Sequence, residues 1–270
     1  MDNRTLVARQ EQQTSQPLPN TQGNLDNEEY KSMQIENYPL GHHHKHSGRS
    51  LEDLDDRLGF IRKVYGILSM QLIITALMCA IPTYNEASRQ WMNKNPWTLF
   101  LAFGLMIASM CVIVCSKEQA RKVPNNYFLL GFFTVSVGYT VMFATSQYEP
   151  RSVLIAAAMT AFMVVALTIY VHNTKVDLDV EMGGLVVFSS AFSIAGLCLL
   201  FSFSEAGYIL FCTFGVILFG FYILYDTHLI VGGGQHELSS EDYVLGAMII
   251  YLDILNVFLY ILRIIGERRD

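Results

Sequence analysis

Seven long apolar segments joined by short polar links restrict the possible folds of this chain more than any other feature. A helix needs about 20 apolar residues to cross a hydrocarbon core about 30 Å thick. Seven segments approach that length: residues 61–81, 97–115, 127–146, 152–171, 184–204, 208–230 and 244–265. Because several links are barely turns, consecutive helices are expected to lie antiparallel as neighbours. The sequence therefore predicts an all-α membrane protein, a seven-span helical bundle within residues 61–270.

The composition supports a membrane protein and argues against several other classes. Of the 270 residues, 52% are hydrophobic and 16% charged, whereas soluble proteins average roughly 25% charged residues. The net charge of −6, without a basic cluster, makes nucleic acid an unexpected partner. All five cysteines lie in apolar segments, so neither a disulfide framework nor a thiolate metal site is indicated.

The first 60 residues differ from the rest of the chain in composition, because they contain no long apolar run. Residues 1–49 are rich in Gln, Asn, Ser and Pro, which predicts a disordered cytosolic tail, and they contain no apolar run typical of a cleavable signal peptide. The histidine-rich tract 42–46 is a weak candidate for a transition-metal ligand and is more simply interpreted as a solvated polar segment. Ser50 and Asp53 resemble a capping box, and residues 50–60 are predicted to form a short amphipathic juxtamembrane helix.

Basic residues flanking the first two spans indicate the orientation. They are more numerous before the first span and after the second than between them, which predicts a cytosolic amino terminus. Arg263, Arg268 and Arg269 conflict with this, because an odd number of spans places them on the opposite side. Seven complete spans are the preferred interpretation, and a re-entrant last segment is the alternative.

Two acidic residues lie inside predicted spans, Asp226 in the sixth and Asp253 in the seventh. Intramembrane carboxyl groups are energetically costly and usually mark a proton or ion pathway. The short connection makes these spans neighbours, so the two carboxyl groups are expected to meet. The residues predicted to support them form a polar stripe: Tyr222, Asn256, Tyr260 and Arg263.

A buried pair of carboxyl groups has a definite chemistry. Desolvation and repulsion between like charges favour one proton shared by the pair, which then titrates as a unit. We therefore expect a pH sensor at Asp226 and Asp253, whose ionised form offers oxygen ligands for a transient calcium ion. The alternative is that each aspartate only satisfies polar neighbours in a packed core.

Four stretches resemble the transmembrane Bax inhibitor motif family, most closely its Lifeguard branch. They are FIRKVY at 60–65 with Gln71, Leu72 and Thr75; TKVD at 174–177 before Gly183 and Gly184; LYDT at 224–227 with Ile230, Gly232 and Gly233; and YV at 243–244 through IYLDILN at 250–256 to Gly266.

The resemblance implies a seven-span protein of endomembranes, such as the endoplasmic reticulum or Golgi, that lets calcium leave the store and restrains cell-death signalling. The paired aspartates of that family fall on Asp226 and Asp253. An arginine that can latch the pair in some relatives has no counterpart, because residues 97–115 contain no base. The expected partners are the lipid bilayer, calcium ions and other membrane proteins of cell-death or calcium signalling. Neither a cofactor nor an enzymatic activity is expected.

Three other functions are alternatives. An intramembrane aspartyl protease would also carry Tyr225 and Asp226, but Asp253 lacks the Gly-x-Gly before it that such enzymes have, and no Pro-Ala-Leu sequence is present. A receptor is possible for any seven-span chain, although the external links are very short. A non-conducting regulator that acts through contacts with other membrane proteins is not separable from a channel by sequence.

Overall fold

The computed structural model describes residues 51–116, 118, 121–173, 182–199, 204–232, 238–239 and 241–269. Within these ranges the chain forms eight helices, in the order α1 Leu51–Tyr84, α2 Glu86–Lys94, α3 Trp97–Cys115, α4 Asn125–Thr145, α5 Pro150–Asn173, α6 Met182–Leu199, α7 Glu205–Val231 and α8 Tyr243–Ile265. The predicted tail and its histidine tract lie outside the described residues.

The helices confirm the predicted class, an all-α membrane protein. Six of them, α1, α3, α4, α5, α7 and α8, are long and apolar enough to cross a bilayer. The remaining predicted span, 184–204, corresponds to α6, whose apolar part within the described residues is Val187–Leu199. Predicted and observed ends of most spans differ by only a few residues, because runs of apolar residues are bounded by polar ones.

The first part of the bundle differs in two ways from the prediction. The juxtamembrane helix predicted at 50–60 is not a separate element within the described residues, since α1 continues without interruption from Leu51 to Tyr84. The link after it contains an additional short helix, α2. Its N-cap is Asn85, whose side-chain oxygen accepts a hydrogen bond from the backbone N–H of Ser88 at 3.2 Å. Asn favours this position because its side chain satisfies a free helix N–H.

Helix α8 lies at the centre, packed against α1, α4, α5 and α7. Side chains along its whole length are fully buried, among them Val244, Tyr251, Val257 and Leu262. Helix α3 packs mainly on α4, and α6 mainly on α7. The last helix of the chain is therefore the core around which the others assemble.

Several polar contacts between helices lie at the two opposite ends of the bundle. At the first, which we call the Arg57 end, Arg57 of α1 donates to the carbonyl of Leu229 at 2.5 Å, and Asn126 donates to the Tyr243 hydroxyl at 2.7 Å. At the other, the Glu86 end, Gln147 donates to Asn93 at 2.8 Å. Antiparallel spans joined by short links place these contacts at alternate ends, as predicted.

Charged groups outside the spans reinforce both ends. At the Arg57 end, hydrogen bonding to Asp242 raises the pKa of Arg121. At the Glu86 end, hydrogen bonding from Arg89 lowers the pKa of Glu86, and Arg269 lies 3.8 Å from the same carboxylate. Such exposed ion pairs add little stability, but they show which segments share an end.

The carboxyl-terminal residues resolve the choice between a full and a re-entrant last span. Helix α8 begins at the Arg57 end with Tyr243, and the residues after it reach the Glu86 end. There the backbone N–H of Glu149 donates to the Glu267 carbonyl at 2.9 Å, and that of Arg269 to the Gln147 carbonyl at 3.0 Å. The re-entrant alternative is wrong, and α8 extends through the bundle from one end to the other.

Candidate functional site, a buried pair of carboxyl groups

The two intramembrane aspartates lie on neighbouring helices, Asp226 near the end of α7 and Asp253 in the middle of α8. Their side chains are almost fully buried, with residue exposures of 9% and 7%. The two carboxyl groups are close enough to interact with each other. A carboxylate only accepts hydrogen bonds, so a hydrogen bond between the two groups forms only when one of them carries a proton. The structure thus brings together the two residues that the sequence singled out.

One oxygen of the pair has no hydrogen-bond partner among the residues that the structure describes. Oδ2 of Asp253 is buried without a hydrogen bond to any described residue. A buried polar atom of this kind is costly unless water or an ion satisfies it. Helix α8 offers apolar surroundings here, since Ile250, Ile254 and Val257 are buried. The Asp253 oxygen is therefore available to a proton, a water molecule or a cation.

A second group of buried polar side chains lies where α1, α4 and α8 pack together. Thr75 and Tyr251 share a hydrogen bond of 2.6 Å, and Gln71 donates to Thr134 at 3.0 Å. The Gln71 oxygen and the Tyr65 hydroxyl are buried without a partner among the described residues. We call the four residues joined by these hydrogen bonds, Gln71, Thr75, Thr134 and Tyr251, the polar seam.

The polar seam was not predicted from the sequence. A usable signal was present, because Gln71 and Thr75 are polar residues four apart in an otherwise apolar span. That spacing places both on one face of α1, and both are buried, at 3% and 4% exposure. Thr134 and Tyr251 are individually unremarkable in sequence. Only the packing of α1, α4 and α8 shows that their hydroxyl groups meet the polar face of α1.

The polar stripe predicted to support the pair is distributed over other contacts. The Tyr222 hydroxyl forms a hydrogen bond with Ser189 of α6, and Asn256 donates to the backbone carbonyl of Leu252 at 2.8 Å. Both side chains thus form these hydrogen bonds with groups other than the aspartates.

The other two residues of the stripe, Tyr260 and Arg263, make different contacts: Tyr260 belongs to an aromatic cluster, and Arg263 lies at the Glu86 end. Tyr260 packs edge-on against Phe192 and Phe211, with ring centroids 5.9 and 6.1 Å away. The Arg263 guanidinium lies 5.6 Å from the centroid of the Tyr208 ring and donates to the Tyr148 hydroxyl at 3.4 Å. Arg263 follows Asp253 by ten residues, which is about 15 Å along a helix, so it belongs to a different part of α8.

The donor set limits what the site can hold. Within the described part of the chain, no group of three or more His, Cys, Asp or Glu side chains is arranged to hold a metal ion. Calcium usually takes six to eight oxygen ligands, whereas the pair supplies at most four oxygens. The geometry therefore suits a weakly and transiently held cation better than a resident one.

Comparisons with known proteins agree with this architecture. The family described as inhibitor of apoptosis-promoting Bax1 matches residues 57–270. The human protein lifeguard 3 is 31% identical over 245 residues, which cover 86% of this chain and 79% of that protein. The mouse lifeguard 3 is 31% identical over 221 residues, covering 80% and 72%. The mouse lifeguard 4 is 34% identical over 207 residues, covering 77% and 84%.

The matched region begins at Arg57, within α1, and includes the other seven described helices and both aspartates. This chain therefore belongs to the Bax inhibitor motif family and is a multi-pass membrane protein related to the lifeguard proteins.

Proposed function

We propose that this protein is a pH-sensitive calcium leak channel of an endomembrane, the endoplasmic reticulum or Golgi, that lowers store calcium and restrains cell-death signalling. The observation that carries the proposal is that the carboxyl groups of Asp226 and Asp253 are both buried and lie near each other on two helices packed together. Membership of a family described by inhibition of apoptosis supports the cellular role. The protein acts as a channel and not as an enzyme.

Protonation of the Asp226 and Asp253 pair controls whether the channel is open. With one proton, the carboxyl groups are joined by a hydrogen bond, and α7 is fixed to α8. Without it, two negative charges in a poorly hydrated core repel each other, and the helices separate locally. The same two carboxylates then attract a hard cation, because calcium prefers charged oxygen ligands. Flux is therefore expected to be larger at neutral pH than at acid pH.

The unpartnered oxygens indicate where water accompanies the ion. Asp253 Oδ2, Gln71 Oε1 and the Tyr65 hydroxyl are all buried without a partner among the described residues. Buried water typically satisfies such groups with two to four hydrogen bonds. The polar seam includes Tyr251 of α8, the helix that carries Asp253. We assign it the role of hydrating the route next to the gate.

Calcium flux into liposomes tests the proposal. Purified protein is reconstituted with a trapped calcium indicator, and the rate is recorded from mildly acid to mildly alkaline pH. The wild type should conduct, with a rate that falls on acidification. Asp226→Asn and Asp253→Asn should each remove most of that pH dependence, since an amide cannot titrate in this range.

Asp242→Asn is the matched control. It makes the same chemical change at the N-cap of α8, in contact with Arg121 at the bundle end, and should retain the wild-type pH profile. If both buried-site variants keep that profile as well, the pair is not the gate.

A non-conducting regulator is the second candidate. When it carries a proton, the same carboxyl pair also joins α7 to α8, so it can serve a purely structural purpose in a protein that acts through partners of cell-death or calcium signalling. Zero flux for the wild type and every variant, in protein that stays folded, would favour this function.

We also propose that the Arg57 end faces the cytosol, as the bases around the first two spans predict. An epitope added to the amino terminus should then be reached by antibody after the plasma membrane alone is permeabilised. Detection only after all membranes are opened would contradict this orientation.

A further inference from the structure

Arg57 forms an unusual contact at the first described turns of α1. Its guanidinium donates to three backbone carbonyls, those of Leu229 at 2.5 Å, Leu238 at 2.8 Å and Val231 at 3.4 Å. The residue is only 8% exposed, and its charge lies 4.9 Å from the centroid of the Phe60 ring. A single side chain of α1 thus binds both the end of α7 and the backbone of Leu238.

The accepting carbonyls explain why a guanidinium is suitable. Leu229 and Val231 lie in the last turn of α7, where carbonyls have no partner within the helix. That end also carries the negative side of the helix dipole. Arginine presents several N–H donors in a fixed plane and keeps its charge at all accessible pH values. The contact is a charge-assisted cap supplied by another helix.

Gly232 leaves the room that this contact needs. It follows α7 directly with φ = +80°, a left-handed conformation that favours glycine. A Cβ atom at this position would lie 2.7 Å from Nε of Arg57. Any larger residue would both strain the backbone and displace the guanidinium. Gly232 and Arg57 therefore form one structural unit, which we call the clasp.

The clasp lies close to the carboxyl pair along the chain. Asp226 precedes Leu229 by three residues, less than one turn of α7. Helix α1 also packs against α8, the helix that carries Asp253. By holding the end of α7, α1 restricts how far that end can move relative to α8.

We propose that Arg57 is a positioning residue for the gate, because its clasp on Leu229, Val231 and Leu238 fixes the end of α7 and so sets how closely Asp226 approaches Asp253. This inference rests on the proposed function. Arg57 does not act as an acid or a base, and its influence on the gate is exerted through the position of α7.

Within the described part of the chain, several titratable or charged groups surround Asp226. Asp253 faces it from α8, and Tyr225 and His228 are close to it on α7. Tyr65 of α1 lies near Thr227 and near Thr168 of α5, and Arg57 is at the helix end. Loss of the Arg57 charge alone would favour the protonated pair and move the midpoint of flux toward alkaline pH. A shift toward acid in Arg57→Gln therefore reports a change in the position of α7.

The pH profile of calcium flux tests the clasp. Arg57→Gln should free the end of α7, let the carboxyl groups separate and allow the shared proton to leave at lower pH. The midpoint of flux should therefore move toward acid by about one pH unit. Arg57→Lys, which keeps the charge but not the planar set of donors, should give a smaller shift. Arg62→Gln, an exposed base on the same helix, should leave the midpoint unchanged.

A double-mutant cycle shows whether Arg57 and Gly232 act together. Gly232→Ala should move the midpoint in the same direction as Arg57→Gln, because the added methyl group displaces the guanidinium. The double variant should then match Arg57→Gln alone, since a contact that is already lost cannot be lost twice. Additive shifts would overturn the clasp as a unit, and a wild-type profile for Arg57→Gln would overturn the whole inference.

Hydrogen–deuterium exchange keeps this test separate from the proposed function. Arg57→Gln should speed exchange of the backbone amides at 229–232 at least several-fold, while Arg62→Gln should not. If the wild type passes no calcium, the proposed function and the role of Arg57 in gating both fail. Exchange then still decides whether the clasp holds α7. Unchanged exchange in Arg57→Gln would overturn the clasp even if calcium flows.

Discussion

Helices α8 and α3 are both apolar along their length, but α8 lies in the core of the protein and α3 at its periphery. Both are long and strongly apolar, and α3 has the higher mean hydropathy. In the most apolar stretch of each, 67% of the α8 residues are buried inside the protein, against 22% for α3. Hydrophobicity alone therefore does not predict which span forms the core of a membrane protein.

The polar residues explain the difference better than the apolar ones. Helix α3 buries one narrow face, Thr98, Ala102, Ser109 and Ile113, spaced at steps of four, seven and four. That stripe suffices for a single neighbour, α4. Helix α8 presents buried residues to four neighbours, with one half-buried stripe at 245, 249, 252, 256 and 259, and carries Asp253, which is unfavourable in contact with lipid. Of these two helices, the one that carries a carboxyl group is therefore the one buried in the core.

Removal of a large aromatic side chain should give the largest difference in stability loss between α8 and α3. Tyr251 is fully buried, bonded to Thr75 and edge-on to Phe133. Tyr251→Ala should lower the free energy of unfolding by about 3 kcal/mol through the cavity and the lost contacts. Phe100→Ala on α3, at a residue 76% exposed, should change it by less than about 0.5 kcal/mol. Thermal unfolding in detergent gives the comparison, and equal losses would contradict it.

Glycine substitutions should change stability in opposite directions in the two regions. A Cβ at Gly215 of α7 would lie 2.8 Å from the Tyr260 ring of α8, whereas a Cβ at Gly104 of α3 has open space. Gly215→Ala should destabilise the protein by about 1–3 kcal/mol through overpacking. Gly104→Ala should stabilise it by up to about 1 kcal/mol, because alanine favours the helix. The midpoint of thermal unfolding measures both, and a stabilised Gly215→Ala would show that the contact between α7 and α8 is loose.

Removal of a single hydrogen bond should give the smallest difference in stability between variants of the core and variants of α3. Thr75→Val removes the partner of Tyr251 and should cost about 0.6 kcal/mol, the typical value for a hydrogen bond between membrane helices. Ser109→Ala on α3 removes only bonds to carbonyls of its own helix, those of Leu105 and Met106. It should therefore have no measurable effect on thermal unfolding. A larger loss of stability for Ser109→Ala than for Thr75→Val would contradict this expectation.

The fold was predictable from the sequence to the extent that it depends on local patterns. The apolar runs predicted α3 at 97–115 and α8 at 244–265, and the structure has Trp97–Cys115 and Tyr243–Ile265. Helix α2 was missed because Glu86–Lys94 is polar and short. Its formation depends on the Asn85 cap and on packing by Met92, which is buried, and neither signal is visible in a search for apolar spans.

The site was predictable in its centre and not in its surroundings. Asp226 and Asp253 are conspicuous because charge is rare within the spans. The partners of the predicted stripe depend on helix rotation and on which neighbours pack there, and spacing along one helix does not determine either. Tyr260 therefore belongs to an aromatic cluster, and Arg57, which the sequence shows only as a flanking positive charge, binds the end of α7.

The central claim is that one proton on the Asp226 and Asp253 pair controls calcium passage, and infrared difference spectroscopy on the reconstituted protein tests it most directly. The C=O stretch of a protonated carboxyl group should be present at acid pH and disappear on alkalinisation over the range in which calcium flux rises. Asp226→Asn and Asp253→Asn should each shift or abolish that titration, and Asp242→Asn should not. A flux that changes with pH while no carboxyl band titrates with it, or a band that titrates in both buried-site variants as it does in the wild type, would contradict this claim.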